Sequence, residues 1–122
     1  MKKGTNMTRE FIRLFEFEKQ CKRIGLNEDD IIEIENELLT NPSVGNMIRG
    51  TGGIRKFRVV LPNRGKSGGA RVIYLDFVSF SKTYLITTYS KGETENLSQA
   101  ERNELKELVC VIKDELRRKG SK

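Results

Sequence analysis

Histidine and tryptophan are absent from this sequence of 122 residues, and cysteine and proline each occur only twice. Without histidine the chain cannot form a Cys/His nucleophile pair or the mixed Cys and His ligand set of a zinc finger. Both cysteines, Cys21 and Cys110, lie in helical patterns, and we expect two buried free thiols. A disulfide between them is the alternative, which an intracellular setting disfavours. The sequence therefore predicts neither a metal site nor a cofactor.

Long apolar segments are also absent. No segment approaches the ~20 apolar residues of a membrane span, and residues 1–10 lack the apolar stretch of a signal peptide. We therefore expect a cytoplasmic location. The length predicts one domain over residues 1–122, with its core between about residues 10 and 118, because single domains commonly contain ~100 to 150 residues.

Acidic residues are missing from one long segment of the chain. Between Leu38 and Leu75 there is no Asp or Glu, whereas seven basic residues occur there: Arg49, Arg55, Lys56, Arg58, Arg64, Lys66 and Arg71. The other 16 basic residues of the chain face 17 acidic ones, so the whole net charge of +6 originates in this segment. A solubilising surface usually mixes both signs. Concentrated positive charge instead indicates a polyanionic partner, most often a nucleic acid.

The first third of the chain predicts a strand followed by two helices. Residues 10–15 are rich in Phe, Ile and Leu and too few for an independent helix, which favours a strand. The spacing of Phe17, Cys21 and Ile24 predicts a short helix that ends at Gly25. Asn27 is a candidate N-cap for a second helix that extends to about residue 39. Two consecutive helices predict a hairpin that packs against a sheet.

The rest of the chain predicts three strands and a long helix. Residues 54–61, 70–78 and 82–89 are rich in β-branched and aromatic residues, with short connections that indicate an antiparallel meander. Ser98 and Glu101 form a capping box before a long amphipathic helix. The predicted fold class is α+β: a small, antiparallel-rich sheet of an N-terminal strand and a three-stranded meander, with a two-helix hairpin and a C-terminal helix.

Several basic residues of the predicted strands should gather on one face of the sheet. Lys56 and Arg58 are two residues apart in one strand and therefore share a face, and Arg71 in the next strand could lie across from them. The third strand ends with Tyr89 and Lys91 at the rim. Cations that neutralise phosphate beside an aromatic ring that stacks on a base suit RNA.

RNA cleavage requires more than binding: an activated 2′-hydroxyl, charge stabilisation at the phosphate, and a proton for the leaving oxygen. In a chain without histidine the candidate base is a lysine among other cations, because like charges disfavour its protonated form. Lys56, beside Arg55 and Arg58, is such a lysine. The alternative is that Lys56 only positions a phosphate.

Three motifs resemble the HigB-like branch of the RelE/ParE toxin superfamily. They are residues 50–59 (GTGGIRKFRV), 65–74 (GKSGGARVIY) and 84–91 (YLITTYSK), and the order of predicted elements agrees over roughly residues 10–118. The resemblance implies a RelE-like toxin of a type II toxin-antitoxin system. Such a toxin enters the ribosomal A site and cleaves messenger RNA with Lys and Arg side chains and without a metal. Its expected partners are the ribosome, messenger RNA and a HigA-like helix-turn-helix antitoxin.

The resemblance also implies roles for individual residues. Lys56 would be the base, Arg58 its companion on the same strand, Arg71 the phosphate stabiliser and Lys91 the acid. Candidates for contact with RNA are Arg55, Arg64, Lys66 and Tyr89.

Two departures from the RelE pattern leave alternatives open. Arg58 stands where RelE has a second lysine, and arginine stays protonated and cannot serve as a base. The C-terminal tyrosine of RelE has no match after Lys91, so Tyr89 either substitutes for it or only packs. The alternative functions are a ParE-like inhibitor of DNA gyrase and an RNA-binding module without catalysis.

Overall fold

A computed structural model of the chain describes residues 9–60, 69–90, 92–93 and 97–120. In these residues a mixed five-stranded sheet with the strand order β1-β5-β4-β3-β2 packs against three α-helices. The elements are β1 Glu10–Arg13, α1 Phe15–Ile24, α2 Glu28–Thr40, β2 Asn46–Met47, β3 Arg55–Val60, β4 Gly69–Phe77, a 3-10 turn Val78–Phe80, β5 Lys82–Ser90 and α3 Gln99–Gly120. The predicted α+β class is confirmed. The N-terminal strand β1 pairs in parallel with β5, whereas the other pairs are antiparallel.

The predicted helical hairpin covers one face of the sheet. Helix α1 ends at Gly25, whose φ of 84° is easily adopted only by glycine. Helix α2 begins with a capping box, in which the Asn27 and Asp30 side chains each accept a hydrogen bond from the other residue's backbone N–H. Both helices bury apolar side chains against Phe57, Val72 and Leu85 of the sheet. We call this side of the sheet the hairpin face.

Helix α3 covers the opposite side, which we call the α3 face. The Ser98–Glu101 capping box is present, and Val109, Ile112 and Leu116 are buried against the sheet. Cys110 is exposed, so the expectation of a buried thiol there was wrong: it lies beside the buried stripe and points away from the sheet. Cys21 is buried as expected, and burial raises the pKa of its thiol to about 12. In the residues that the structure describes, no helix is both long and apolar enough to span a membrane.

Candidate functional site

Three neighbouring strands place polar side chains in one row on the α3 face. Arg58 of β3 lies opposite Arg71 of β4, and Arg71 lies opposite Tyr89 of β5. Directly opposed residues of antiparallel strands have Cβ atoms about 4.5–5.5 Å apart. Lys56 lies two residues from Arg58 on the same strand and therefore on the same face. We call Lys56, Arg58, Arg71 and Tyr89 the cationic patch.

A β-bulge in β5 brings Tyr89 into this patch. The register passes from Tyr74 opposite Leu85 to Ile73 opposite Thr87, so Ile86 is an extra residue on β5. Simple alternation from Leu85, which lies on the hairpin face, would put Tyr89 on that face too. The extra residue reverses the alternation, so that Tyr89 shares the α3 face with Arg71.

Arg58 and Arg71 carry positive charge that the described residues do not neutralise. Arg58 is exposed and Arg71 is partly buried, and no ion pair of either one occurs in the described part of the chain. The Nε–H of Arg71 is buried without a hydrogen-bond acceptor. Elsewhere carboxylates pair with the basic side chains of Arg9, Arg13, Arg23 and Lys82. Adjacent cations without a counterion favour the binding of an anion.

The sheet backbone at Lys56 is held by the segment before β2. Asn46 of β2 pairs with Lys56 on one side of β3, and Ile73 of β4 pairs with it on the other. At Gly45 a Cβ atom would lie 2.6 Å from the Lys56 carbonyl oxygen, so only glycine permits this close approach. The position of the Lys56 backbone therefore depends on the close approach of Gly45, which a side chain at position 45 would disturb.

Arg55 is not brought together with the patch. It lies on the hairpin face, opposite Tyr74, and its Nη1 donates a 2.7 Å hydrogen bond to the Gly45 carbonyl oxygen. The Tyr74 hydroxyl accepts from the Gly45 N–H and donates to the Pro42 carbonyl oxygen. Burial raises the pKa of Tyr74, which keeps its hydroxyl protonated and able to donate. Arg55 thus helps to secure the segment beneath Lys56, a role that its position in a basic run did not indicate.

Three other predicted site residues, Arg64, Lys66 and Lys91, lie outside the described residues. The tight turn before β3 is described. Buried Thr51 donates from its hydroxyl to the Ile48 carbonyl oxygen and accepts from the Ile54 N–H. This turn fixes where β3 begins.

A cleft of about 450 Å³ borders the patch at Tyr89. It lies between α1, the second half of β5 and the first turns of α3, and its rim carries carboxylates of Glu16, Glu101 and Glu104. These carboxylates disfavour phosphate but can accept hydrogen bonds from the amino groups of a nucleobase. Sequence reasoning missed this cleft because its residues come from four separate elements, α1, β4, β5 and α3.

Comparison with known families gives a match over most of the chain. A family model described as the RelE toxin of the RelE/RelB toxin-antitoxin system matches residues 12–119. The matched segment includes Lys56, Arg58, Arg71 and Tyr89 and both faces of the sheet.

Proposed function

We propose that this chain, which belongs to the RelE toxin family of type II toxin-antitoxin systems, is a ribosome-dependent endoribonuclease. It cleaves messenger RNA in the ribosomal A site and thereby inhibits translation. The observation that carries the proposal is the row of Arg58, Arg71 and Tyr89 on one sheet face, with Lys56 beside it. This row offers phosphate binding and base stacking at adjacent positions.

In the proposed reaction the 2′-hydroxyl of one nucleotide attacks the neighbouring phosphate. Lys56 is the general base that accepts the proton of that hydroxyl. Arg71 and Arg58 bind the phosphate oxygens on which negative charge grows. The bond from phosphorus to the 5′-oxygen breaks, and Lys91 donates the proton that this oxygen needs. The products are a 2′,3′-cyclic phosphate and a 5′-hydroxyl end.

Residues outside the row of arginines bind other parts of the RNA. Tyr89 stacks on a base next to the scissile phosphate and directs it toward the carboxylate-rimmed cleft. Arg64 and Lys66 hold messenger or ribosomal RNA, a role that rests on their charge and on the family. Because the patch binds phosphate and one base, the ribosome supplies the remaining alignment of the messenger.

The proposal also covers the branch of the family to which the chain belongs and the way in which an antitoxin regulates it. The chain acts in the cytoplasm and belongs to the HigB-like branch, and a HigA-like helix-turn-helix antitoxin keeps it from the ribosome. An inhibited complex that still occupied the A site would contradict this mode of inhibition. A pull-down of ribosomes with the toxin alone and with the toxin-antitoxin complex measures whether the complex still binds the ribosome.

The decisive experiment adds the purified protein to a reconstituted translation reaction and maps new messenger 5′ ends by primer extension. Lys56→Ala and Arg71→Ala are the test variants, and Arg117→Ala, at the exposed end of α3, is the control. We expect ends that require ribosomes, disappear in both test variants and persist in the control. Gyrase inhibition without new ends would favour the ParE-like alternative. Ribosome binding without new ends would favour an RNA-binding module.

A further inference from the structure

Helix α3 directs one arginine toward the sheet. Arg102 is three residues before Leu105 and seven before Val109, so it continues the stripe that reaches Ile112 and Leu116. Leu105 is partly buried and the other three are buried against the sheet. Arg102 is itself partly buried, whereas its helix neighbours Glu101 and Asn103 are exposed. The next basic residue of the helix, Lys106, is exposed as well.

The position of Arg102 along α3 brings it toward the cationic patch. Val109 packs over the glycine turn that precedes β3, whereas Leu105, one turn earlier, borders the cleft with Ile73 and Tyr89. The helix therefore approaches the row of Arg71 and Tyr89 as it is followed toward its N-terminus. Arg102 lies about 4.5 Å beyond Leu105 in that direction, at a rise of about 1.5 Å per residue.

Two side-chain nitrogens in the described residues are buried without a hydrogen-bond partner, and they are the Nε atoms of Arg71 and Arg102. One projects from the sheet and the other from the helix that covers it. No carboxylate of the described residues pairs with either guanidinium. An ordinary core would pair two such donors with acceptors, because unsatisfied buried donors are rare and costly. A single oxyanion between helix and sheet would satisfy both.

We propose that Arg102 is a phosphate-binding residue that, together with Arg71, grips one phosphodiester of the RNA between α3 and the sheet. The proposal deepens the proposed nuclease function and rests on it for the identity of the ligand. Its chemistry requires only a tetrahedral oxyanion with at least two accepting oxygens, which guanidinium groups bind through charge-assisted hydrogen bonds. It assigns α3 a part in binding, in addition to its packing.

A titration of the uniformly ¹⁵N-labelled full chain with inorganic pyrophosphate tests the site directly. The Nε–Hε signals of Arg71 and Arg102, assigned by their loss in Arg71→Lys and Arg102→Lys, should shift together and saturate with one apparent Kd. In Arg102→Met, which keeps an apolar stem, the Kd should rise about tenfold, the usual scale of one charge-assisted hydrogen bond. Lys106→Met, which removes one positive charge from the same helix at an exposed position, should change the Kd less than twofold. An Arg102 signal that stays still while that of Arg71 moves would overturn the proposal.

Binding of a 2′-O-methylated RNA, which cannot be cleaved, gives a second measurement. The slope of log K against log salt concentration should become shallower by about 0.7 in Arg102→Met, the value for one lost phosphate contact on a single strand. It should stay unchanged in Arg102→Lys, which retains the charge but loses the paired donors. Equal slopes in Arg102→Met and the wild-type chain would count against a contact with RNA.

Cleavage in the reconstituted translation reaction separates this proposal from the proposed function. If the wild-type chain cuts and Arg102→Met cuts as fast as Lys106→Met, the Arg102 site is refuted and the nuclease remains. If the wild-type chain does not cut but both arginine signals still respond to pyrophosphate, the nuclease is refuted and the anion site remains. The wild-type titration requires no substitution at all, so a variant that fails to fold does not prevent the test.

Discussion

Replacing Arg71 with methionine should stabilise the protein while removing most of its activity. In the free protein the Arg71 Nε–H is buried without an acceptor, and Arg58 lies directly opposite on β3. An unsatisfied buried donor costs about 1–3 kcal/mol, and like charges directly opposite on a sheet cost about 0.2–1 kcal/mol. Methionine retains an apolar stem and removes both costs. Because Arg71 is only partly buried, water reduces both costs, and we expect a gain of about 1 kcal/mol.

Urea unfolding and thermal unfolding measure this gain. One kcal/mol corresponds to a rise in Tm of roughly 4 °C for a domain of this size. The rate of ribosome-dependent cleavage should fall about 10²–10³-fold, the typical loss of one preorganised donor to a developing oxyanion. Arg117→Met is the matched control, since Arg117 is exposed near the end of α3 and should change stability by less than about 0.5 kcal/mol.

The salt dependence adds a further check. The part of the gain that arises from repulsion between Arg58 and Arg71 should shrink at about 1 M salt, where the screening length is about 3 Å. Loss of more than 1 kcal/mol of stability in Arg71→Met would show that the guanidinium has a structural partner, and the reasoning would be refuted. Full activity in that variant would refute the role of Arg71 at the phosphate.

Three further predictions concern the scaffold. Tyr74→Phe removes two hydrogen bonds to the segment before β2 and should lower the free energy of unfolding by about 1–3 kcal/mol in urea titrations; an unchanged midpoint would contradict it. Asp76→Asn breaks the nearly buried pair with Arg9 and should cost about 3 kcal/mol by the same measurement, whereas a cost below 1 kcal/mol would mean that the pair is well solvated. Glu93 accepts from Arg23 and from a backbone N–H of β5, which lowers its pKa to about 2. Its contribution to stability is therefore fully present above pH ~4.5 and is lost as the pH falls toward 2, so wild type and Glu93→Gln should converge in acid titrations, and a constant gap would contradict the assignment.

Local sequence signals predicted the helices and much of the cationic patch. The Asn27 and Ser98 caps specify where α2 and α3 begin, because their side chains accept from the N–H groups that a first turn leaves unpaired. Lys56 and Arg58 share a face because alternation is a property of any strand. The missing acidic residues between Leu38 and Leu75 were visible by inspection and predicted an anionic partner.

The tertiary structure decided which basic residues share a face of the sheet. Arg55 and Lys56 are adjacent in sequence, yet the pleat and the Gly45 carbonyl give Arg55 a structural contact. Tyr89 reaches Arg71 only through the bulge at Ile86, because one extra residue reverses every later side chain. No local pattern marks that bulge, since it depends on how β5 aligns with β4.

The sequence by itself determined whether each segment forms a helix or a strand and where positive charge is in surplus, because caps, spacing and composition act within a few residues. The parallel pairing of β1 with β5, the exposure of Cys110 and the burial of the Arg71 and Arg102 Nε atoms without acceptors required the folded chain. Each of these depends on contacts between residues distant in sequence. Such contacts are selected by the packing of the whole core, which no short segment encodes.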